Sequence, residues 1–224
     1  MNSGKERAAR KAVEYVEDGM VLGLGTGSTS ELMIGFLAEQ IRAKSLNIVC
    51  VSTSARSEEL ARKLGLQVRA FHQVRELDLV IDGADEVDYS LDGIKGGGGS
   101  LLYEKLVAVV SKKVIWIVDE SKVVEKLGKF PLPVEVVPFF LDKIFHMFLM
   151  AGYQPSHRRK GQELFRTDGG NHIIDLHLQR IMNPRELHEK LKLMPGVVET
   201  GLFLGMADTV IIGGEDKISI MERR

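Results

Sequence analysis

MVLGLGTGSTSELMIGFLAEQI (residues 20–41) reads as a strand, a turn and a helix in succession. MVLGL is a short apolar run, the glycines of GTGSTS interrupt it, and ELMIGFLAEQI (31–41) is amphipathic at helical spacing. The same alternation continues outward. A helix is expected over 5–17, a second strand in LNIVCVS (46–52), and a helix in SARSEELARKLG (54–65) with a glycine stop signal. LDLVIDG (77–83) and KVIWIV (113–118) read as buried strands around a helix at about 100–111. Short apolar strands alternating with helices predict an α/β fold: a Rossmann-like, mostly parallel sheet with helices on both faces.

The texture changes near residue 128. GKFPLPVEVVP sets three prolines around a strand-like VEVV. It is followed by a helix in FFLDKIFHMFLMAG, a polar basic stretch SHRRKGQELFRTDGG, a strand HIIDLHL, and a helix NPRELHEKLKLM with Asn183 as N-cap and Pro184 at its first position. GVVETGLF and TVIIGG close the pattern. The expected division is a Rossmann-like catalytic domain over 1–129 and 205–224, with a smaller α+β, ferredoxin-like domain over 130–204.

Composition narrows the classes. The chain has 224 residues, 44% hydrophobic, and a formal net charge of −1, so any bound anion needs a local site and no basic stripe points to nucleic acid. Its longest apolar runs are too short to cross a bilayer. The charged start MNSGKERAARK is followed by no signal-type apolar stretch, which points to a cytoplasmic protein. Cys50 is the single cysteine, so no internal disulfide forms, and it reads as a small buried hydrophobe. The six histidines give no metal pattern, and His146 reads as a packed core residue.

Four stretches carry chemistry. GLGTGSTS (23–30) joins a strand to a helix, where converging N–H groups and hydroxyls favour an anion. It lacks the lysine of a Walker loop, its third glycine comes one residue early for a dinucleotide fingerprint, and CVSTS stands where a ribose-binding acid would end the second strand. A small phosphate ester fits better than NAD, although a plain N-capped turn uses the same residues. VSTSARS (51–57) repeats that logic weakly, and N-capping explains it about as well. DGADEVD (82–88) puts Asp82 at a strand end with Gly83 and Ala84 too small to block it, and Asp85 just beyond. Paired carboxylates suit proton transfer, with metal binding as the rival use. Glu86 and Asp88 are expected to face solvent or cap the turn.

KGGGGSLLYEK (95–105) is the most informative piece. Four glycines bring backbone donors close to a ligand, and Ser100 is placed to cap the next helix. That helix has Leu102, Leu106 and Val109 on one stripe, and Glu104 falls roughly opposite. Its neighbours three and four residues away are Ser100, Leu101, Val107 and Ala108, none able to pair with it. A glutamate with no local partner beside a glycine loop is a candidate base.

Together the motifs GLGTGST, DGADEVD, IKGGGGSLLYEK, LGKFPLPVEV and PGVVETGLF resemble the ribose-5-phosphate isomerase family, type A, over nearly the whole chain. The resemblance implies interconversion of D-ribose 5-phosphate and D-ribulose 5-phosphate by proton transfer through an enediolate, with no metal or organic cofactor. Glu104 matches the family's proton acceptor; Asp82, Asp85 and Lys95 are the other catalytic candidates. Thr26, Gly27, Ser28 and Thr29, then Gly83 and Ala84, then Gly96, Gly97 and Gly98, match its substrate-binding loops. Lys122 and Lys5 match further substrate-binding lysines. Gly169 and Tyr103 depart from the family's usual residues. A homodimer or homotetramer is expected, with the apolar FFLDKIFHMFLM helix a candidate for burial in it. Rival readings are a metal-dependent hydride-shift isomerase using Asp82, Asp85 and Glu86, a noncatalytic sugar-phosphate sensor, and a sugar-phosphate deaminase or coenzyme A transferase of similar sheet architecture.

Overall fold

The computed structural model describes residues 3–223; Met1 and Asn2, the first residues of the charged start, and Arg224 lie outside them. In chain order the first elements are α1 (Ser3–Ala12), β1 (Val21–Leu24), α2 (Ser28–Lys44), β2 (Val49–Ser52), α3 (Ala55–Lys63) and β3 (Gln67–Val68). Next come β4 (Leu79–Gly83), β5 (Glu86–Val87), β6 (Gly93–Ile94), α4 (Leu101–Val109) and β7 (Val114–Asp119). The second part holds β8 (Leu132–Val136), α5 (Leu141–Met150), β9 (Pro155–His157), β10 (Arg159–Lys160), β11 (Glu163–Leu164) and β12 (His172–Leu176). It ends with α6 (Pro184–Lys192), β13 (Val197–Thr200), β14 (Leu202–Phe203), β15 (Thr209–Gly213) and β16 (Ile218–Glu222).

Seven strands form the main sheet in the order β16-β15-β7-β4-β1-β2-β3, parallel except for β16, which runs antiparallel to β15. Alternation along the strands divides their side chains between two cores. Leu79, Ile81, Ile115 and Ile117 point into a core closed by Ala8, Ala9 and Ala12 of α1 and by Met33, Ile34 and Leu37 of α2. Val80, Trp116 and Val118 point the other way, toward Leu101, Val107 and Ala108 of α4. That double cover is why the strands read as unbroken apolar runs.

Strand order reverses between β1 and β4: β2 and β3 continue to one side of β1, whereas β4 and β7 lie on the other. At such a reversal the connections leaving the two strands diverge and open a crevice at their carboxyl ends. The β1–α2 turn and the segment after β4 meet there.

A second sheet has the order β13-β8-β12-β9, all antiparallel, and packs α5 and α6 through Ile144, Phe148 and Leu191 onto Val134, Val136 and Ile174. The βαββαβ order is ferredoxin-like. A three-stranded sheet, β14-β6-β5, ties the residues before the glycine loop to the chain returning from β13.

Several local expectations change. α2 begins at Ser28, so the hydroxyl run forms its first turn. The first helix ends at Ala12 and tightens into a 3-10 turn over Val13–Tyr15. His146 is exposed, because α5 buries Leu141, Ile144 and Phe148 and turns His146 outward. The stripe of α4 that carries Leu102, Leu106 and Val109 also faces outward, with Val109 66% exposed, and the opposite face is the buried one. No helix among the described residues is long and apolar enough to cross a membrane.

Candidate active site

A cavity of about 110 Å³ opens at the carboxyl edge of the sheet. Every expected site residue except Asp82 lines it: Lys5 from α1, Thr26–Thr29 from the β1–α2 turn, Gly83–Asp85 after β4, Lys95–Gly98, Glu104 of α4, and Lys122 after β7. Val118 and Asp119 also line it and were not anticipated; Asp119 closes β7 and caps the following 3-10 turn through Ser121. Its signal was an acid at the end of a buried strand, the feature that singled out Asp82. Gly169 and Tyr103 do not line the cavity.

Asp82 lies under the floor. Its Oδ1 accepts N–H bonds from Thr26 at 3.0 Å and Gly83 at 2.7 Å, and its Oδ2 meets Lys95 Nζ at 2.9 Å. The turn above it can come this close only without a side chain: a Cβ on Gly25 would sit 2.1 Å from Asp82 Oδ1. Asp82 therefore ties the phosphate-type turn, the β4 end and Lys95 into one rigid unit, and it has no direct face on the cavity.

Lys95 is 3% exposed and donates to Gly83 O at 2.6 Å as well as to Asp82. Burial opposes its charge, but the carboxylates of Asp82, Glu104 and Asp85 outweigh that and raise its pKa above the ordinary lysine value. It stays an ammonium.

Glu104 is 4% exposed. Lys95 Nζ lies 3.3 Å from its Oε2, inside ion-pair distance, but spends its close bonds on Asp82 and Gly83. Oε2 is thus buried without a donor aligned to hydrogen-bond it. Burial, offset by Lys95 and reinforced by Asp82 and Asp85, raises the Glu104 pKa to about 8. A carboxylate in that state readily takes up a proton near neutral pH.

Asp85 is half-buried, and its Oδ2 accepts the Gly97 N–H at 2.7 Å, which ties it to the glycine loop. Ser100 occupies the N-cap position of α4, but its side chain makes no capping bond.

At the other end of the cavity, Gly27 (φ +110°) turns the chain into α2, and Lys5 Nζ donates to Ser28 Oγ at 3.0 Å. The N–H groups of a helix start, two hydroxyls and an ammonium are donors of the kind that suit a phosphate-sized anion. The hydroxyls of VSTSARS serve this turn from behind: Thr26 Oγ1 bonds Thr53 Oγ1 and Ser54 Oγ, each at 2.8 Å, while Ser54 caps α3. Ser54 bears out the N-capping reading of this stretch.

Glu86 departs from expectation. It is 3% exposed and accepts the N–H groups of Gly128 at 2.7 Å and Phe130 at 2.6 Å, which fixes the chain just before β8. Both of its oxygens are engaged in these backbone contacts. No group of three or more His, Cys, Asp or Glu among the described residues could hold a metal ion. Asp88 caps its turn as expected, accepting from Ser90 and Asp92. Cys50 is buried and free, its thiol pushed up to about 12 by burial.

Comparison with known proteins places this geometry. The family model for ribose 5-phosphate isomerase A (phosphoriboisomerase A) matches residues 49–217. The ribose-5-phosphate isomerase A of Lactiplantibacillus plantarum is 50% identical over 220 residues, 98% of this chain and 97% of that protein. The solved ribose 5-phosphate isomerase from Plasmodium falciparum superposes with a TM-score of 0.96 at 35% identity and covers 100% of both chains. A D-ribose-5-phosphate isomerase in complex with phospho-erythronic acid superposes with a TM-score of 0.94 at 37% identity, covering 98% of this chain and 97% of that one.

Proposed function

Because this chain belongs to the ribose 5-phosphate isomerase A family, and so interconverts D-ribose 5-phosphate and D-ribulose 5-phosphate, we propose that Glu104 carries the proton between C2 and C1 of the bound sugar. One observation supports this above the others: a buried carboxylate on the cavity wall, with a raised pKa and an oxygen that has the Lys95 ammonium at 3.3 Å but no donor aligned to hydrogen-bond it.

In this reading the phosphate rests at the start of α2 against Ser28, Thr29 and Lys5, and Lys122 contributes charge from the β7 side. The sugar then extends toward Glu104. The C2–H bond is a weak acid even beside a carbonyl, so removing its proton needs a positioned base and a stabilised enediolate. Glu104 takes the C2 proton and becomes neutral; the electron pair moves onto the C1 oxygen. Lys95 and the glycine-loop N–H groups hold that oxyanion. Asp85 passes the hydroxyl proton from O2 to O1 and is the acid placed to assist ring opening. Glu104 then returns its proton to C1. Asp82 acts beneath the cavity by keeping Lys95 charged and in place. The positive charge the enediolate needs is Lys95, and the reading assigns no metal to the reaction.

The test follows turnover of ribose 5-phosphate in deuterated water by chelator-treated enzyme. The expected results are deuterium at C1 of the ketose from the wild type, and a Glu104→Gln variant slower by about 10²–10⁴-fold. Near-normal turnover by Glu104→Gln, or loss of wild-type activity on chelation, would overturn the assignment.

The sheets support division of the chain into a catalytic unit, 1–129 with 205–224, and a smaller unit, 130–204. The reading extends to a homodimer or homotetramer built through the smaller unit, in the cytoplasm, where a single buried thiol needs no pairing.

A further inference from the structure

We propose that Arg158, in the second unit, is a positioning residue for the isomerisation: it grips the carbonyls of the glycine loop and thereby aims the loop's N–H groups at Asp85 and the sugar. The proposal rests on the reading of the glycine loop as the oxyanion-binding element.

Arg158 belongs to the basic stretch SHRRKGQELFRTDGG, which nothing in the chemistry above uses. Its side chain is 14% exposed and held in a fixed plane by Asp175 on β12, with Nε donating to Oδ2 at 2.9 Å and Nη2 donating to Oδ1. A guanidinium held along one edge presents its remaining N–H groups in a set direction. Here Nη1 projects out of the second unit and donates to Gly96 O at 2.5 Å and Gly97 O at 3.2 Å.

The peptide between Gly96 and Gly97 is consequently held from both sides. Arg158 takes its carbonyl, and Asp85 Oδ2 accepts its N–H at 2.7 Å. In a trans peptide the C=O and N–H point in opposite directions, so drawing the oxygen toward Arg158 turns the N–H toward the catalytic acid. The next peptide obeys the same geometry: its oxygen leans on Arg158, and its N–H belongs to Gly98, which lines the cavity. A run of four glycines has no side chain with which to select one conformation. The selection comes from outside, from Arg158 on the carbonyls and from Phe165, whose ring sits so close that a Cβ on Gly99 would lie 2.3 Å from Cζ. The cation also polarises both peptides, which strengthens their N–H groups as donors.

A simple staple between the two units would make the same contacts, so the test must separate the two roles. Arg158→Ala is expected to lower kcat by up to about 100-fold, the lower end of the ~10²–10³ that follows loss of an oxyanion donor itself. The KM for ribose 5-phosphate and the inhibition constant of inorganic phosphate should stay within about threefold, because the phosphate is assigned to the start of α2 and not to the loop N–H groups that Arg158 orients. Millimolar guanidinium should restore part of the lost kcat in Arg158→Ala. An unchanged kcat, or a fall in kcat matched by weaker phosphate inhibition and no guanidinium rescue, would overturn the proposal. Should Arg158→Ala fail to fold, Asp175→Asn carries the test: it leaves Arg158 present but loosely held, and a selective fall in kcat supports the proposal while an unchanged kcat refutes it. Glu104→Gln measured in parallel reports on the base alone. Its retention of turnover would sink the base assignment, whereas the kcat-only loss and guanidinium rescue of Arg158→Ala read the loop independently.

Discussion

Glu104 serves catalysis at a cost to folding, and the two effects share one pH window. Its folded pKa of about 8 stands above the 4.5 of a free glutamate because burial disfavours its charge. Between those values the folded chain holds a proton that the unfolded chain has released. The group's stabilising contribution is therefore complete below about 4.5 and is lost as pH rises through about 8. Glu104→Gln has no such proton to lose. Its melting temperature relative to wild type, followed by calorimetry, should climb between pH 4.5 and about 8 and then level off, by a few degrees for each ~1 kcal/mol. A gap that stays constant across this range would show that Glu104 is not perturbed. The position of this residue was legible from local spacing, since no neighbour on its helix could pair with it. Glu86 was misread for the opposite reason: its partners, Gly128 and Phe130, lie too far along the chain for any local spacing to reveal.

At the scale of elements, the alternation of apolar strands and helices was readable because both faces of the sheet are covered, which removes polar residues from the strands. The sequence did not show how close the elements approach. α1 packs so tightly on the end of β15 that a Cβ on Gly213 would lie 1.9 Å from Gly4 O. That contact sets where Lys5, the next residue along, meets Ser28. Gly213→Ala should push α1 outward and carry Lys5 away from the phosphate end. The expected outcome is a KM for ribose 5-phosphate raised roughly 5- to 20-fold with kcat changed less than about threefold, the pattern of lost uniform binding. Steady-state kinetics decide it, and an unchanged KM would remove Lys5 from the phosphate site. The outward turn of Leu102, Leu106 and Val109 was illegible for a related reason: α4 must bury Glu104 against the cavity and Lys105 against Glu199 and the Thr200 and Leu202 carbonyls, so the apolar stripe does not mark its inner face.

At the scale of the molecule, the change of texture near residue 128 correctly foretold a second sheet, but the tie from that sheet back to the active-site loop could not be read. Arg158 and Gly96 are separated by 62 positions, and only the packed fold makes them neighbours. The outer surface of the second unit carries a further consequence. Phe139 is 97% exposed and Met150 75%, with Leu149 and Met147 between them on α5 also open, although α5 already buries Leu141, Ile144 and Phe148 against its own sheet. The helix has thus covered one apolar face within the chain and left a second, mixed face on which large apolar side chains stand among Asp142, Lys143 and His146, apolar area that a lone monomer gains nothing by exposing. We expect this second face to be buried between copies of the chain. Sedimentation equilibrium at micromolar concentration should show a dimer or tetramer, and replacing Leu149 and Met150 together by lysine should shift it toward smaller species, since burying two unpaired ammonium groups carries a desolvation cost. A monomeric wild type, or an assembly indifferent to both lysines, would place the subunit contact on another face.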